Sequence, residues 1–216
     1  MRIRSDFRQP YDHFVDPAMR GEMPRFMRMG PSRRRQFELL GQAGFKTVEW
    51  GNAGQLESWT PFVIYDDWGA HCGEGKRLCM RNSFRSNPHM GMPGGDRFHD
   101  ERLKLASRFY EHDHTIRLLR VGWHTFTIRY DRGDDSWRTN VNPAKVTTID
   151  HKFEGNWSTH WLFAWPIWSV DLVEGRACDL NVSPGMPDDL PMTWAEIGDH
   201  VSEVWGTLGA DPKVPE

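Results

Sequence analysis

Apolar and polar positions change their period along this chain, and each change marks an element. Phe37, Leu40 and Ala43 recur at helical spacing, with Ser32 ahead of them as a cap and Gly44 behind as a stop, so a short helix is predicted from Ser32. Phe62-Val63-Ile64-Tyr65 is an apolar run of strand length, and Arg77–Met80 predicts another strand. Asp100 is placed to cap a helix whose apolar positions are Leu103, Ala106, Phe109 and Tyr110. Beyond it the period shortens to two. Ile116 to Tyr130 predicts a hairpin about Gly122-Trp123, in which Trp123, Thr125, Thr127 and Arg129 alternate with His124, Phe126, Ile128 and Tyr130. After a turn at Arg132–Asp135, Lys145 to Ile149 predicts a further strand; Ile167–Val173 and Arg176–Asn181 predict a second hairpin joined at Glu174-Gly175. Thr193 and Glu196 form a capping box, and Trp194, Ile197, Val201, Val204, Trp205 and Leu208 follow at helical spacing. Residues 1–30 show no period and read as an irregular arm on a single domain spanning 31–216.

Composition narrows the class. The 216 residues suit one ordinary domain. Mean hydropathy is −0.68, polar for a globular chain. The 11 Trp and 12 Phe nevertheless supply enough large side chains for a core. A net charge of −3 argues against a broad nucleic-acid-binding surface, and the arginines of the first 35 residues, Arg33, Arg34 and Arg35 among them, read as a solvated face. No apolar run approaches the ~20 residues of a membrane span. The opening residues are charged throughout, unlike a secretory signal. Cys72, Cys79 and Cys178, odd in number and irregularly spaced, fit a reducing, cytoplasmic setting. With His71 and His89 the first two match no common zinc spacing, and His112 and His114 read as polar surface. Trp157, Trp161, Trp165 and Trp168 read as packed core.

The segment with chemistry in it runs from Ser169 to Met186. Asp171 sits on an apolar strand; on the next strand Asp179 and Asn181 stand two apart and so point to one face. A tight hairpin brings that face beside Asp171, and Ser183-Pro184-Gly185 ends the strand sharply. Three oxygen ligands then converge as a hard cation such as Mg²⁺ requires, with water and phosphate oxygens completing its shell. Two buried carboxylates this close repel unless a cation neutralises them.

This segment resembles the ATP-grasp superfamily, in which one strand supplies an acidic metal ligand and the next ends in acid-x-Asn, a small residue, Pro and Gly. Asp171, Asp179 and Asn181 match those positions, with the shorter Asp179 where Glu is usual. Two weaker matches lie upstream in the expected order. Thr115-Ile116-Arg117 to Val121-Gly122 is similar to a D-x-R-x-x-V-G strand, and Asp135 to Asn140 is similar to a D-W-R-x-N stretch. The resemblance implies that Arg117 and Arg138 approach the transferring phosphoryl group and that Asn140 contacts the nucleotide. Leu39 to Thr47 is similar to the family's l-x-x-x-G-i-x-T-P stretch, with Val48 in place of proline. His71 to Lys76 is a glycine-bearing loop able to cradle phosphates and bring Lys76 to them, although it is not a P-loop.

The resemblance covers roughly residues 36–208 and implies an α+β, ATP-grasp-like fold: an antiparallel sheet with flanking helices, lacking the usual N-terminal α/β domain. It also implies ATP and Mg²⁺ as cofactors, and a carboxylate–amine ligase that activates a small-molecule or peptide carboxylate as an acyl phosphate. A partner chain or homo-oligomer stands open as a source of the absent domain. The openings Arg4-Ser5-Asp6-Phe7 and Tyr11-Asp12-His13-Phe14 are similar to short bacteriophage proteins. Two alternatives therefore stand beside the enzyme: a non-catalytic nucleotide-binding descendant of the fold, and a phage interaction or structural protein.

Overall fold

A computed structural model describes residues 31–56, 61–65, 76–79, 103–122, 124–133, 137, 139, 143–149, 165, 167–182, 184, 187, 190–193, 196–197, 199–200 and 203. Helix α1 (Arg33–Gln42) begins where Ser32 accepts a hydrogen bond from the Arg35 amide at 3.3 Å. It ends before Gly44, whose φ of +84° suits the left-handed turn that terminates helices. Four strands, β1 (Trp50–Asn52), β2 (Phe62–Tyr65), β3 (Lys76–Cys79) and β4 (Leu105–Arg108), form an antiparallel sheet in the order β1-β4-β2-β3. A second antiparallel sheet holds β5 (His114–Val121), β6 (His124–Asp131), β7 (Lys145–Ile149), β8 (Ile167–Val173) and β9 (Arg176–Asn181) in the order β7-β6-β5-β8-β9. The architecture is α+β, with antiparallel sheets as expected.

Strand alternation divides the second sheet into two faces. Leu118, Trp168, Val170, Leu172 and Leu180 face α1, which lays Leu39, Leu40 and Ala43 upon them. On the other face Leu119, Val121, Ile128, Tyr130 and Ile167 gather with Leu190 and Ile197. Ile197 belongs to the predicted C-terminal helix. Thr193 starts that helix as a capping box, its amide donating to Glu196 at 2.7 Å and its hydroxyl accepting from the Glu196 amide at 3.3 Å. Trp194, Val201, Val204, Trp205 and Leu208 lie outside the described residues, as does the predicted arm. The first sheet meets the second through Val63, Tyr65 and Leu105, which pack against Phe37 of α1 and Val173 of β8. Among the described residues no helix is long and apolar enough to cross a membrane.

One predicted element is corrected. Residues 105–108 form the strand β4, not part of a helix, and Leu103, expected on the buried face, is 64% exposed. Here β4 lies inside the sheet, so Leu105, Ala106 and Ser107 are all buried whichever way they point. A three-residue apolar spacing at such a position fits a helix by coincidence. The short β1, built from Trp50, Gly51 and Asn52, has too little alternation to be predicted.

The turns that close the two hairpins depend on positive φ. Glu174 and Gly175 have φ of 48° and 68°, the tight two-residue form that matches strand twist. Gly122 has φ of 56°, and a Cβ there would come within 2.6 Å of the His200 Cβ. At Gly175 a Cβ would meet nothing within 4 Å. Gly122→Ala is therefore expected to lose about 2 kcal/mol more stability than Gly175→Ala, since both pay for the left-handed backbone and only the first adds a clash. Urea unfolding of the two variants measures the difference, and equal losses would mean that His200 moves aside freely.

Candidate functional site

The second sheet buries its charges on the face shared by the odd-numbered residues of β5 and β8. Asp171 pairs directly with Arg117 of β5 on one side and Asp179 of β9 on the other. A bulge falls between Asp171 and Leu172, with Cys178 as the extra residue of β9. Because of that bulge, Asp179 and Asn181 share the face of Asp171 and Ser169 although Ala177 faces the helix. The predicted convergence of Asp171, Asp179 and Asn181 on one face therefore holds in the strand register.

Each carboxylate is met by guanidinium or ammonium groups. Arg117 grips Asp171 through two bonds, Nε to Oδ1 at 2.6 Å and Nη2 to Oδ2 at 2.8 Å, with its guanidinium 5.1 Å from the Tyr130 ring centre. Burial opposes the charge on Arg117, but the Asp171 carboxylate outweighs it and leaves the guanidinium harder to deprotonate than usual. Asp179 accepts from Lys76 at 2.8 Å through Oδ2 and from Arg33 through Oδ1. Burial alone would raise the Asp179 carboxyl; Arg33 and Lys76 override it and hold the group well below the usual carboxylate range. Arg33 is 3% exposed and lies 5.2 Å from the centre of the Tyr65 ring. Tyr65 in turn shares a 2.7 Å hydrogen bond with Ser107, and burial pushes its phenol up.

Lys76, Asp171, Asp179, Tyr65 and Ser107 of this network border a cavity of about 90 Å³ between the two sheets, with Arg33 and Arg117 behind the carboxylates. Val63, Tyr65, Lys76 and Ser107 wall it from the first sheet, and Thr115, Asp171, Val173 and Asp179 from the second. Phe109, Tyr110, His112, Trp137 and Thr139 are also in the wall, and the hydroxyls of Thr115 and Thr139 are hydrogen-bonded to each other. Burial raises the Cys178 thiol in the same wall, so this cysteine is a poor nucleophile.

The structure thus draws Lys76, Arg117, Asp171 and Asp179 together and sets Asn181 on their face. Arg138 and Asn140 lie outside the described residues, although their neighbours Trp137 and Thr139 reach the cavity wall. Arg33 was not foreseen as a site residue; it is buried, not part of a solvated face. A signal was present: Arg33 precedes Phe37 by four and Leu40 by seven, which puts it on the apolar stripe of α1.

The donor set fits a metal in company with an anion better than a metal alone. Asp171, Asp179 and Asn181 offer the oxygens that a hard cation takes. Yet among the described residues all four carboxylate oxygens are already engaged by Arg117, Arg33 and Lys76. Among the described residues no three His, Cys, Asp or Glu side chains are grouped to hold a metal by themselves. The Ser169 hydroxyl, across from Asn181 in the register, is buried without a hydrogen-bond partner among the described residues. Buried guanidinium and ammonium groups and an unsatisfied hydroxyl both suit phosphate oxygens.

No family model matches the chain, and no curated protein does. Solved structures do share its architecture. The RiPP-associated ATP-grasp ligase of Chryseobacterium gregarium, in complex with ADP and a leader and core peptide, matches with a TM-score of 0.59 at 11% identity, over 93% of this chain and 65% of that one. The ATP-grasp ligase PsnB, complexed with Mg, ADP and a phosphomimetic variant of its minimal precursor, matches with a TM-score of 0.52 at 11% identity, over 88% of this chain and 62% of PsnB. PsnB with its minimal precursor gives a TM-score of 0.51 at 13% identity. This chain has the ATP-grasp fold, and it spans less than two thirds of the length of those ligases.

Breaking the Arg117–Asp171 pair from one side leaves an uncompensated charge in a buried sheet. Asp171→Leu is expected to cost about 3–5 kcal/mol, and Arg117→Leu with Asp171→Leu less than the sum of the single changes. Urea unfolding of the three variants checks this; strictly additive losses would show that the two side chains do not depend on each other.

Proposed function

We infer that this chain binds MgATP in the cleft between its two sheets and activates a carboxylate as an acyl phosphate for ligation to an amine. The observation that carries the reading is the buried cluster in which Arg33, Lys76 and Arg117 meet Asp171 and Asp179 beside the cleft. Stability alone gives no reason to bury so many charges together. Asp171, Asp179 and Asn181 are the residues to hold Mg²⁺, and the bound ion supplies Lewis-acid neutralisation of phosphate oxygens. Lys76 and Arg117 then face the phosphate chain. The ATP-grasp resemblance assigns Arg138 to the transferring phosphoryl group and Asn140 to the nucleotide.

In this reading a carboxylate oxygen of the substrate attacks the terminal phosphorus as its bond to the ADP oxygen breaks. The amine next attacks the acyl carbon, phosphate departs, and the nitrogen loses its proton. The cations of the cleft favour the step because negative charge accumulates on the phosphoryl oxygens where they are already fixed. The leader and core peptide held by the C. gregarium enzyme, which shares this fold, supports a peptide carboxylate alongside a small-molecule one as substrate.

Thermal unfolding with and without MgATP tests the site. A ligand at a hundred times its Kd stabilises the folded state by about 2.7 kcal/mol, a rise of roughly 5–11 °C for a domain of this size. The parent is expected to show that rise, and Asp179→Ala combined with Asn181→Ala to lose it. Hydroxylamine is then expected to trap the activated carboxylate as a hydroxamate with equimolar ADP. No rise at millimolar MgATP sinks the nucleotide reading; a rise without ADP formation across a carboxylate panel favours a non-catalytic binding protein.

A further inference from the structure

The cavity wall changes character along its length. Lys76, Asp171 and Asp179 bring buried charge to one part of it, and Phe109, Tyr110, His112 and Trp137 bring rings to another. The rings are in mutual contact: the Phe109 ring centre lies 6.0 Å from that of Trp137, edge to face, and 5.7 Å from that of His112. Arg108, half exposed, lies over the Tyr110 ring beside them. Thr115 and Thr139 join the two parts. Thr115 precedes Arg117 by two on β5, Thr139 follows Trp137 by two, and their hydroxyls are bonded to each other. Charge, hydroxyls and rings thus succeed one another as phosphate, sugar and base do in a nucleotide.

Among the rings, His112 has a nitrogen to spare. Its Nδ1 lies 2.6 Å from the Tyr110 carbonyl oxygen. A carbonyl only accepts, so Nδ1 carries the proton, and in the neutral ring Nε2 is left as an acceptor. Nε2 has no hydrogen-bond partner among the described residues. The neighbouring Tyr110 hydroxyl is committed to Glu49. Burial, with Arg132 and His114, holds the His112 imidazole below its usual range against the pull of Glu174 and Asp113, which favours the neutral, accepting form. At its 6-position a purine carries either an amino group, which donates, or an oxo group, which only accepts. An acceptor gains a hydrogen bond with the first and sets lone pair against lone pair with the second.

We propose that His112 is a specificity-determining residue of the nucleotide site: its Nε2 accepts from the exocyclic amino group of the base and so selects adenine over a 6-oxopurine. The inference rests on the nucleotide reading above and adds the side chain that reads the base.

Calorimetry of the full chain with MgADP and with the magnesium complex of inosine diphosphate, at about pH 7.5, tests it. The parent is expected to bind ADP at least about tenfold more tightly than inosine diphosphate. His112→Phe keeps a ring against Phe109 and removes the acceptor; it is expected to bring the two affinities within about twofold of each other, through weaker ADP binding. His112→Gln, whose amide can present either a donor or an acceptor, is expected to close the same gap from the other side, by tighter binding of inosine diphosphate, and serves if His112→Phe does not fold. A His112 that only packs would lower both affinities alike. An unchanged ratio in the variants therefore overturns the proposal, and so does a parent that binds the two ligands equally, while the nucleotide site stands in either case. A parent that binds neither ligand overturns the nucleotide reading, and this proposal with it.

Discussion

The double ion pair on Asp179 is the constraint around which this molecule is arranged. One carboxylate on β9 of the second sheet is held by Arg33 of α1 and by Lys76 of β3 in the first sheet. Three elements that are distant in sequence therefore meet at one charge. The apolar contacts of Phe37, Val63, Tyr65, Leu105 and Val173 bring the two sheets together, but such contacts are non-directional. An ion pair is directional, and a buried one tolerates little displacement before the unpaired charge becomes costly. Asp179 thereby fixes how far the sheets stand apart where the cavity lies.

The bulge in β9 makes this possible. Without the extra residue at Cys178, strict alternation through the pairing of Leu172 with Ala177 would carry Asp179 to the face packed on α1. The cost would be a carboxylate among Leu39, Leu40 and Trp168. With it, the apolar residues Ala177, Leu180 and Val182 serve the core while Asp179 and Asn181 serve the cleft. A single irregularity in the hairpin lets one strand supply both.

How much of this the sequence disclosed follows from which physical signal each part obeys. The β5–β6 and β8–β9 hairpins are strands of six to eight residues joined by recognisable turns, and their limits came out nearly residue for residue. Asp171, Asp179 and Asn181 were legible on one face because a hairpin leaves few ways to place them. Strand β4 was not, because it is only four residues long and its apolar positions continue a helical spacing with Leu103, Phe109 and Tyr110. Arg33 was missed for a related reason. An arginine among other arginines reads as surface by composition, and only its place on the stripe of Phe37 and Leu40 distinguishes it. What joins Arg33 to Asp179 is a separation of 146 residues, and no local pattern reports that.

The distribution of buried polar groups completes the argument. Among the described residues Arg33, Ser107, Thr115, Arg117, Thr127, Thr139, Ser169 and Asp171 are the buried polar ones, and all but Thr127 and Ser169 border the same cleft or ion-pair the carboxylates that do. Elsewhere the core is mostly aliphatic and aromatic. Replacing a buried ion pair by well-packed apolar residues is often neutral or stabilising, so stability gives no reason to gather such groups in one place. Scattered, they would read as solutions to local packing; gathered between two sheets, they hold charge and hydroxyl groups in fixed positions where a polar ligand can meet them without reorganisation.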